Sequence, residues 1–224
     1  MTIQETFFHT KTVKALPPRS SGAVLQALED FTAPDVPTRS QGLDRLLELE
    51  AHLRSPLVAA VLGLRTLEPD LSLRCRVVAA LASVLRPPPD GPRPMDEVRI
   101  WLRGSLAEMR QRQVFALLQA LVASPDQQDA VCTVLSACSF SGDALLMILS
   151  NRSAEPAVRV GAAEAIGRIG FLEAAPALEA QLARIARRKS GQLAMVFAPG
   201  AEVEEEILLP AIQAALQALR EAAD

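Results

Sequence analysis

Apolar positions recur at helical spacing along most of the chain, and the clearest example lies between residues 155 and 170. The stripe consists of Val158, Ala162, Ile166 and Ile169. These intervals of four, four and three residues place all its members on one face of an α-helix. Gly170 follows at the position where a helix end needs a positive φ. A second amphipathic segment covers residues 172–188. The stretch therefore predicts two helices joined by a tight turn.

Prolines and capping residues divide the rest of the chain into similar lengths. A residue before proline avoids the α region, so each Pro marks a boundary. Thr38 is expected to cap the second helix, and Ser55 the third. The pattern predicts further helices over residues 22–31, 38–54, 57–67, 70–85, 95–108, 110–123, 125–138, 141–149 and 203–222.

Composition supports helices over strands. Half of the 224 residues are apolar, but aromatic residues make up 4%, with one Trp and no Tyr. Ala, Leu, Arg, Glu and Gln favour helices, whereas the aromatic residues that favour strands are scarce. We therefore predict an all-α fold.

An internal repeat connects two of the predicted helices. Residues 70–85 align without a gap on residues 155–170, a shift of 85 residues. The aligned pairs include Leu73 with Val158, Arg74 with Arg159, Val77 with Ala162, Ala80 with Ala165, Leu81 with Ile166 and Val84 with Ile169. A weaker copy near the C-terminus consists of Leu208, Ala215, Leu216 and Leu219. The shift is about twice the 40 or so residues of a two-helix solenoid repeat.

The better copy resembles a HEAT-like repeat of the phycocyanobilin-lyase type. The resemblance covers about thirty residues and is carried by Val158, Arg159, Ala162, Ala163, Ala165, Ile166, Gly167, Ile169, Gly170, Ala175, Pro176 and Leu178. It implies an α-solenoid of about five helical hairpins over residues 22–224, after a tail over residues 1–21. Stacked hairpins of this kind leave an extended concave surface and generally serve as binding scaffolds.

Two arginines occupy equivalent positions in the repeat. Arg74 and Arg159 each follow an acidic residue by four positions, which predicts an ion pair along the helix. The resemblance further implies that such an arginine bridges neighbouring repeats, so we interpret both as a structural ladder. A role in binding a ligand is the alternative.

Two segments depart from the repeat. Residues 86–94 are rich in proline and are expected to form a stiff connector, with a recognition peptide as the alternative. Residues 190–202 contain an apolar run that includes Leu193, Met195, Val196 and Phe197. This run either caps the end of the solenoid or docks on a partner protein, with Met195 and Phe197 as anchors.

Charge argues against a dedicated nucleic-acid binder, because the net charge is −3 and the pI is about 5.5. One local exception is the basic segment that holds Arg99, Trp101 and Arg103. DNA glycosylases with HEAT-like repeats use basic grooves with aromatic residues, so this segment supports a nucleic-acid alternative. Acidic residues interleave with it, however, and we expect Ile100 and Trp101 to lie in the core.

Residues for catalysis or metal binding do not cluster in the sequence. The two histidines, His9 and His52, have no evident partner, and three cysteines suggest reduced, buried thiols. No phosphate-binding loop or nucleophile motif occurs. We therefore predict a protein that is not an enzyme and carries no cofactor or metal.

The sequence thus predicts a scaffold or adaptor that binds another protein. The binding elements are the concave face or the loop at residues 193–197, with Arg99, Trp101 and Arg103 as further candidates. No stretch is apolar enough to span a membrane and no signal peptide is evident, so a cytoplasmic location is expected. A chaperone similar to phycobilin lyases is an alternative that rests on the repeat alone.

Overall fold

The computed structural model describes the backbone of residues 18–189 and 201–223, and the side chains of residues 21–187 and 207–223. Every regular element in this part of the chain is helical, which confirms the all-α prediction. The α-helices are α1 (Pro18–Phe31), α2 (Val36–Glu48), α3 (Ala51–Arg54), α4 (Pro56–Leu64), α5 (Leu71–Leu85), α6 (Asp96–Ala107), α7 (Gln111–Ala123), α8 (Gln128–Leu135), α9 (Ser141–Ser150), α10 (Pro156–Ile169), α11 (Ala175–Lys189) and α12 (Ala201–Ala223). Short 3-10 helices cover Arg65–Leu67, Pro125–Gln127 and Leu172–Ala174.

The chain divides into two compact units, Met1–Leu49 and Glu50–Asp224. The sequence predicted a single solenoid domain over residues 22–224. It also predicted a tail over residues 1–21, but α1 begins within that tail, at Pro18. In the first unit, α1 packs on α2. Gly42 makes this approach possible, because a Cβ there would lie 2.3 Å from the backbone nitrogen of Phe31. The two helices thereby bury Phe31 completely.

Helix boundaries follow local capping chemistry. Ser55 and Asp70 cap α4 and α5, and Gly170 ends α10 with a φ of 74°. The cap expected at Thr38 is wrong. Asp35 caps α2 instead, and its carboxylate accepts a hydrogen bond of 2.9 Å from the Thr38 backbone nitrogen. This hydrogen bond lowers the pKa of Asp35.

Several pairs of consecutive helices pack together in the second unit, but the most extensive contact joins α10 to α12, which are not consecutive. Direct packing joins α4 to α5, α7 to α8, α9 to α10, and α11 to α12. Among the described residues, all substantial helix contacts join helices that are at most three apart in chain order. The core of the unit is aliphatic and includes Leu62, Leu81, Leu102, Leu117, Leu135, Leu145, Ile166 and Ile212.

Small residues allow the close contact between α10 and α12. A Cβ at Gly167 would lie 2.9 Å from the Cα of Ala215 in α12. Val158, Ala162 and Ile166 of the predicted stripe are buried. Most other members of the repeat pattern in α10 and α11 are buried or half-buried, whereas Pro176 is exposed. Among the described helices, none is long and apolar enough to cross a membrane.

Candidate functional site

Helices α4 and α6 lie side by side and run in the same direction. Near their starts, the Met95 backbone nitrogen donates a hydrogen bond of 2.9 Å to the Leu53 carbonyl oxygen. Near their ends, a Cβ on Gly63 would lie 3.8 Å from Ser105 Oγ. The pair therefore presents one continuous outer surface, formed by two parallel helices.

Four large apolar side chains of these two helices are exposed, and we call them together the α4/α6 patch. On α4, Leu57 is 55% exposed and Leu64 is 78% exposed. On α6, Ile100 is 70% exposed and Trp101 is 44% exposed. Several large exposed apolar side chains on neighbouring helices are typical of sites where a protein binds a partner.

The exposure of Ile100 and Trp101 corrects the expectation that they belong to the core. The buried stripe of α6 consists of Val98, Leu102 and Leu106. Ile100 lies about 200° around the helix from Val98, since successive residues differ by about 100°. The spacing of the buried stripe could therefore have predicted that Ile100 is exposed. The many apolar residues nearby made this pattern difficult to recognise in the sequence.

The two arginines predicted beside Trp101 lie on the other flank of α6. By helical geometry, Arg99 and Arg103 are each about 200° from Trp101 and only about 40° from each other. Arg99 is half-buried and forms an ion pair of 2.7 Å with Asp96, whereas Arg103 is exposed. The structure therefore separates the indole from the guanidinium groups rather than joining them in one cluster.

A groove lies on the arginine flank of α6, which we call the α6/α8 groove. Its volume is about 780 Å³. Three helix ends line it, through Leu85, Arg86, Arg103, Gly104, Ala107, Thr133, Ser136 and Ala137. Ile100 precedes Gly104 by one helical turn, so the α4/α6 patch and the groove share the exposed face of α6.

Arg74 connects two of the packed helix pairs. Its Nε donates to the Glu68 carbonyl oxygen at 2.7 Å, and one terminal nitrogen donates to the Ala116 carbonyl oxygen at 3.1 Å and to Gln119 Oε1 at 3.0 Å. Burial lowers the pKa of Arg74. These hydrogen bonds tie α5 to α7.

The ion pair predicted between Arg74 and Asp70 is replaced by other contacts. The Asp70 carboxylate accepts a hydrogen bond of 2.8 Å from the Leu73 backbone nitrogen and caps α5. Arg159 is also buried, and its Nε donates to the Leu149 carbonyl oxygen at 2.9 Å, near the end of α9. Both arginines thus bind backbone carbonyl groups of other segments.

Residues with potential for chemistry are dispersed among the described parts of the chain. No group of three or more His, Cys, Asp or Glu side chains there is arranged to hold a metal ion. His52 is buried in α3. Cys75 and Cys138 are buried and Cys132 is half-buried, and burial raises the pKa of each thiol.

Part of the predicted site lies outside the described residues. This part consists of Leu193, Met195, Val196 and Phe197, and His9 lies outside as well. The Pro-rich connector at residues 86–94 is described and contains no helix. Its Gly91 backbone nitrogen donates a hydrogen bond of 3.0 Å to the Pro88 carbonyl oxygen, which closes a turn.

Comparison of the chain with protein-family models, curated protein sequences and solved structures finds no match. Function must therefore be argued from the surfaces described above.

Proposed function

We propose that this protein is a HEAT-like scaffold that binds another protein through the α4/α6 patch. In this proposal, helix pairs of the second unit form an α-solenoid, and α1 with α2 forms a hairpin of its own in the first unit. The pairwise packing of consecutive helices supports it, as does the short chain distance between contacting helices. The hydrogen bonds from Arg74 supply a further connection between successive pairs.

The exposure of the α4/α6 patch is the observation that carries the functional proposal. Leu57, Leu64, Ile100 and Trp101 are all substantially exposed on two parallel helices. The spacing of Leu57 and Leu64 spans about two helical turns, roughly 10 Å. A surface of this length suits an apolar stripe on a partner protein. Trp is also among the residues that most often dominate binding energy at interfaces.

Quantitative capture from extracts of the source cells tests this function. The test variant carries Ile100→Ser with Trp101→Ser, and the matched control carries Met147→Ser with Leu172→Ser. Each variant removes two large exposed apolar side chains, but the control pair lies outside the patch. Isotope-labelled mass spectrometry then compares the proteins captured by the wild type and by both variants.

We expect at least one protein to be captured by the wild type and the control but lost from the patch variant. Truncation of a Trp hot spot costs about 2 kcal/mol or more, so the captured amount should fall about tenfold or more at a limiting concentration. Equal capture by all three proteins would contradict the proposal. Circular dichroism of each variant checks that the helices are retained.

Nucleic-acid binding of the DNA-glycosylase type is the second candidate, because Trp101 is exposed on a helix that carries two arginines. The net charge of −3 and the separation of Arg103 from the indole oppose it. A salt titration with labelled DNA distinguishes the two functions. DNA binding through a basic groove must weaken steeply between low and physiological salt, and no binding at low salt excludes this candidate.

A further inference from the structure

The α6/α8 groove is a wedge between two helices that both contact α5. Helix α5 packs on α6 and on α8, whereas α6 and α8 make little contact with each other in the described residues. Two hydrogen bonds join the ends of these helices or the segments that follow them. The Ser139 backbone nitrogen donates to the Ala107 carbonyl oxygen at 3.3 Å, and the Cys138 thiol donates to the Met109 carbonyl oxygen at 3.4 Å. The groove is thus bounded near Ala107, which is one of its lining residues.

The walls of the groove differ in their chemistry. Arg86 and Arg103 supply its positive charge, and none of the described residues that line it carries a carboxylate. Neither guanidinium forms a hydrogen bond or ion pair with any described residue. Three carboxylates on these helices or just beyond α6 already have partners, in the pairs Asp96 with Arg99, Glu108 with Arg110 and Asp129 with Arg168. The two groove arginines are therefore available to an external anion.

At two of the three helix ends around the groove, hydrogen bonds reduce the negative charge of the terminal carbonyl groups. Carbonyl groups at a helix C-terminus carry partial negative charge mainly where they lack hydrogen-bond donors. At the end of α8, the Cys132 carbonyl accepts from both the backbone and the hydroxyl of Ser136, and the Leu135 carbonyl accepts from the Cys138 backbone nitrogen. The Ala107 carbonyl of α6 is occupied as described above. Local hydrogen bonds thus satisfy these carbonyl groups.

The remaining lining is small or apolar. Leu85, Gly104, Ala107 and Ala137 supply half of the lining residues. The hydroxyl of Thr133 already donates to the Asp129 carbonyl oxygen at 2.7 Å, so its oxygen is left as an acceptor. A ligand that fits must therefore combine carboxylate groups for the arginines with an apolar part for the floor.

We propose that the α6/α8 groove binds an acidic peptide segment of the partner protein, with Arg86 and Arg103 pairing with its carboxylates. This inference rests on the proposed scaffold function and names the chemistry of the partner. Charge complementarity carries it, since two unpaired guanidinium groups line a groove that has no acidic residue. Nucleic acid fits less well, because a polyanion with stacked bases uses several phosphate contacts and aromatic platforms.

Fluorescence anisotropy with a labelled decapeptide of glutamate and leucine tests this site on the full chain. A decapeptide with glutamine in place of glutamate tests the need for charge, and a single-stranded oligonucleotide tests nucleic acid. The groove variant carries Arg86→Gln with Arg103→Gln. The matched control carries Arg112→Gln with Arg152→Gln, which are exposed arginines that lie outside the groove, so both variants lose the same charge.

We expect the glutamate peptide to bind the wild type and the control equally, and the groove variant at least about tenfold more weakly. The glutamine peptide should bind the wild type no more tightly than the glutamate peptide binds the groove variant. Equal loss in both arginine variants would overturn the inference, because net charge alone would then explain binding. Preferential binding of the oligonucleotide would also overturn it, as would no binding of the glutamate peptide to the wild type.

The peptide-binding experiment and the capture experiment can fail independently of each other. If the groove peptide fails but the Ile100 and Trp101 variant still loses a captured protein, only the inference about the groove is overturned. If the peptide binds as expected but the patch variant captures every protein normally, the role of the α4/α6 patch is overturned and the groove remains as an independent site.

Discussion

Replacement of Gly167 by alanine places a methyl group where α10 crosses α12. The ideal Cβ would lie 2.9 Å from the Cα of Ala215, 3.3 Å from its Cβ and 3.5 Å from its carbonyl oxygen. Two of these atoms belong to the backbone of a packed helix, so no flexible side chain can turn away to relieve the clash. Helix α12 must shift, which disturbs the buried contacts of Leu208, Ile212 and Leu219.

The size of the effect follows from two opposing contributions. Overpacking a tight contact costs about 1–3 kcal/mol, whereas alanine is favoured over glycine inside a helix by about 1 kcal/mol. Gly104 of α6 provides a matched control, because no described atom lies within 4 Å of its ideal Cβ. Both variants gain the same helix preference. Gly167→Ala should therefore be less stable than Gly104→Ala by about 1–3 kcal/mol.

Urea unfolding followed by circular dichroism measures this difference. Thermal unfolding gives a second measure, with a shift of roughly 2–4 °C for each kcal/mol in a chain of this size. If Gly167→Ala proves as stable as Gly104→Ala, then α10 and α12 do not approach as closely as described. The packing of helices that lie close in the chain, which supports the scaffold proposal, would then need revision.

Three further predictions concern buried or capping groups. Arg74→Ala should lower the free energy of unfolding by about 2–4 kcal/mol in urea titrations, because several hydrogen bonds to a charged group are lost. Arg74→Lys should have an intermediate effect. A change below about 1 kcal/mol for Arg74→Ala would contradict this structural role of Arg74. Burial raises the pKa values of the Cys75, Cys132 and Cys138 thiols. The thiols of the native protein should therefore react with a disulfide reagent at pH 8 more slowly than those of the unfolded protein. Equal rates would contradict this protection by burial. The pKa of Asp35 is lowered, so its contribution to stability should be complete above its unfolded pKa and decline as the pH falls through the folded value. Asp35→Ala should flatten this part of the pH–stability profile, and an unchanged profile would exclude Asp35 as the cause.

Local signals in the sequence predicted the helices well. Ser55 caps one helix and Gly170 ends another, as their positions predicted, because these residues act on the backbone beside them. The cap at Thr38 was mistaken because both Asp35 and Thr38 are capping residues. The choice depends on which side chain faces the first free N–H groups of the helix.

Contacts between helices were harder to predict. Arg74 seemed committed to Asp70 by its spacing, but its long side chain reaches the carbonyl of Ala116, which is far away in the chain. The exposure of Ile100 was missed because its position relative to the stripe at Val98 was not considered. Trp101 lies only about 60° from Val98 around the helix, so its exposure could not be predicted from this spacing. The α6/α8 groove gave no sequence signal, because its lining comes from three helices that only the fold brings together.

The central claim is that the α4/α6 patch contacts another protein, and site-specific photo-crosslinking tests it most directly. A photoreactive amino acid replaces Leu64 in one protein and the exposed Met147 outside the patch in another. Irradiation in source-cell extract should yield a discrete adduct with another protein from position 64 and none of the same mass from position 147. If position 64 yields no adduct, or both positions yield the same adducts, the patch is not a binding surface.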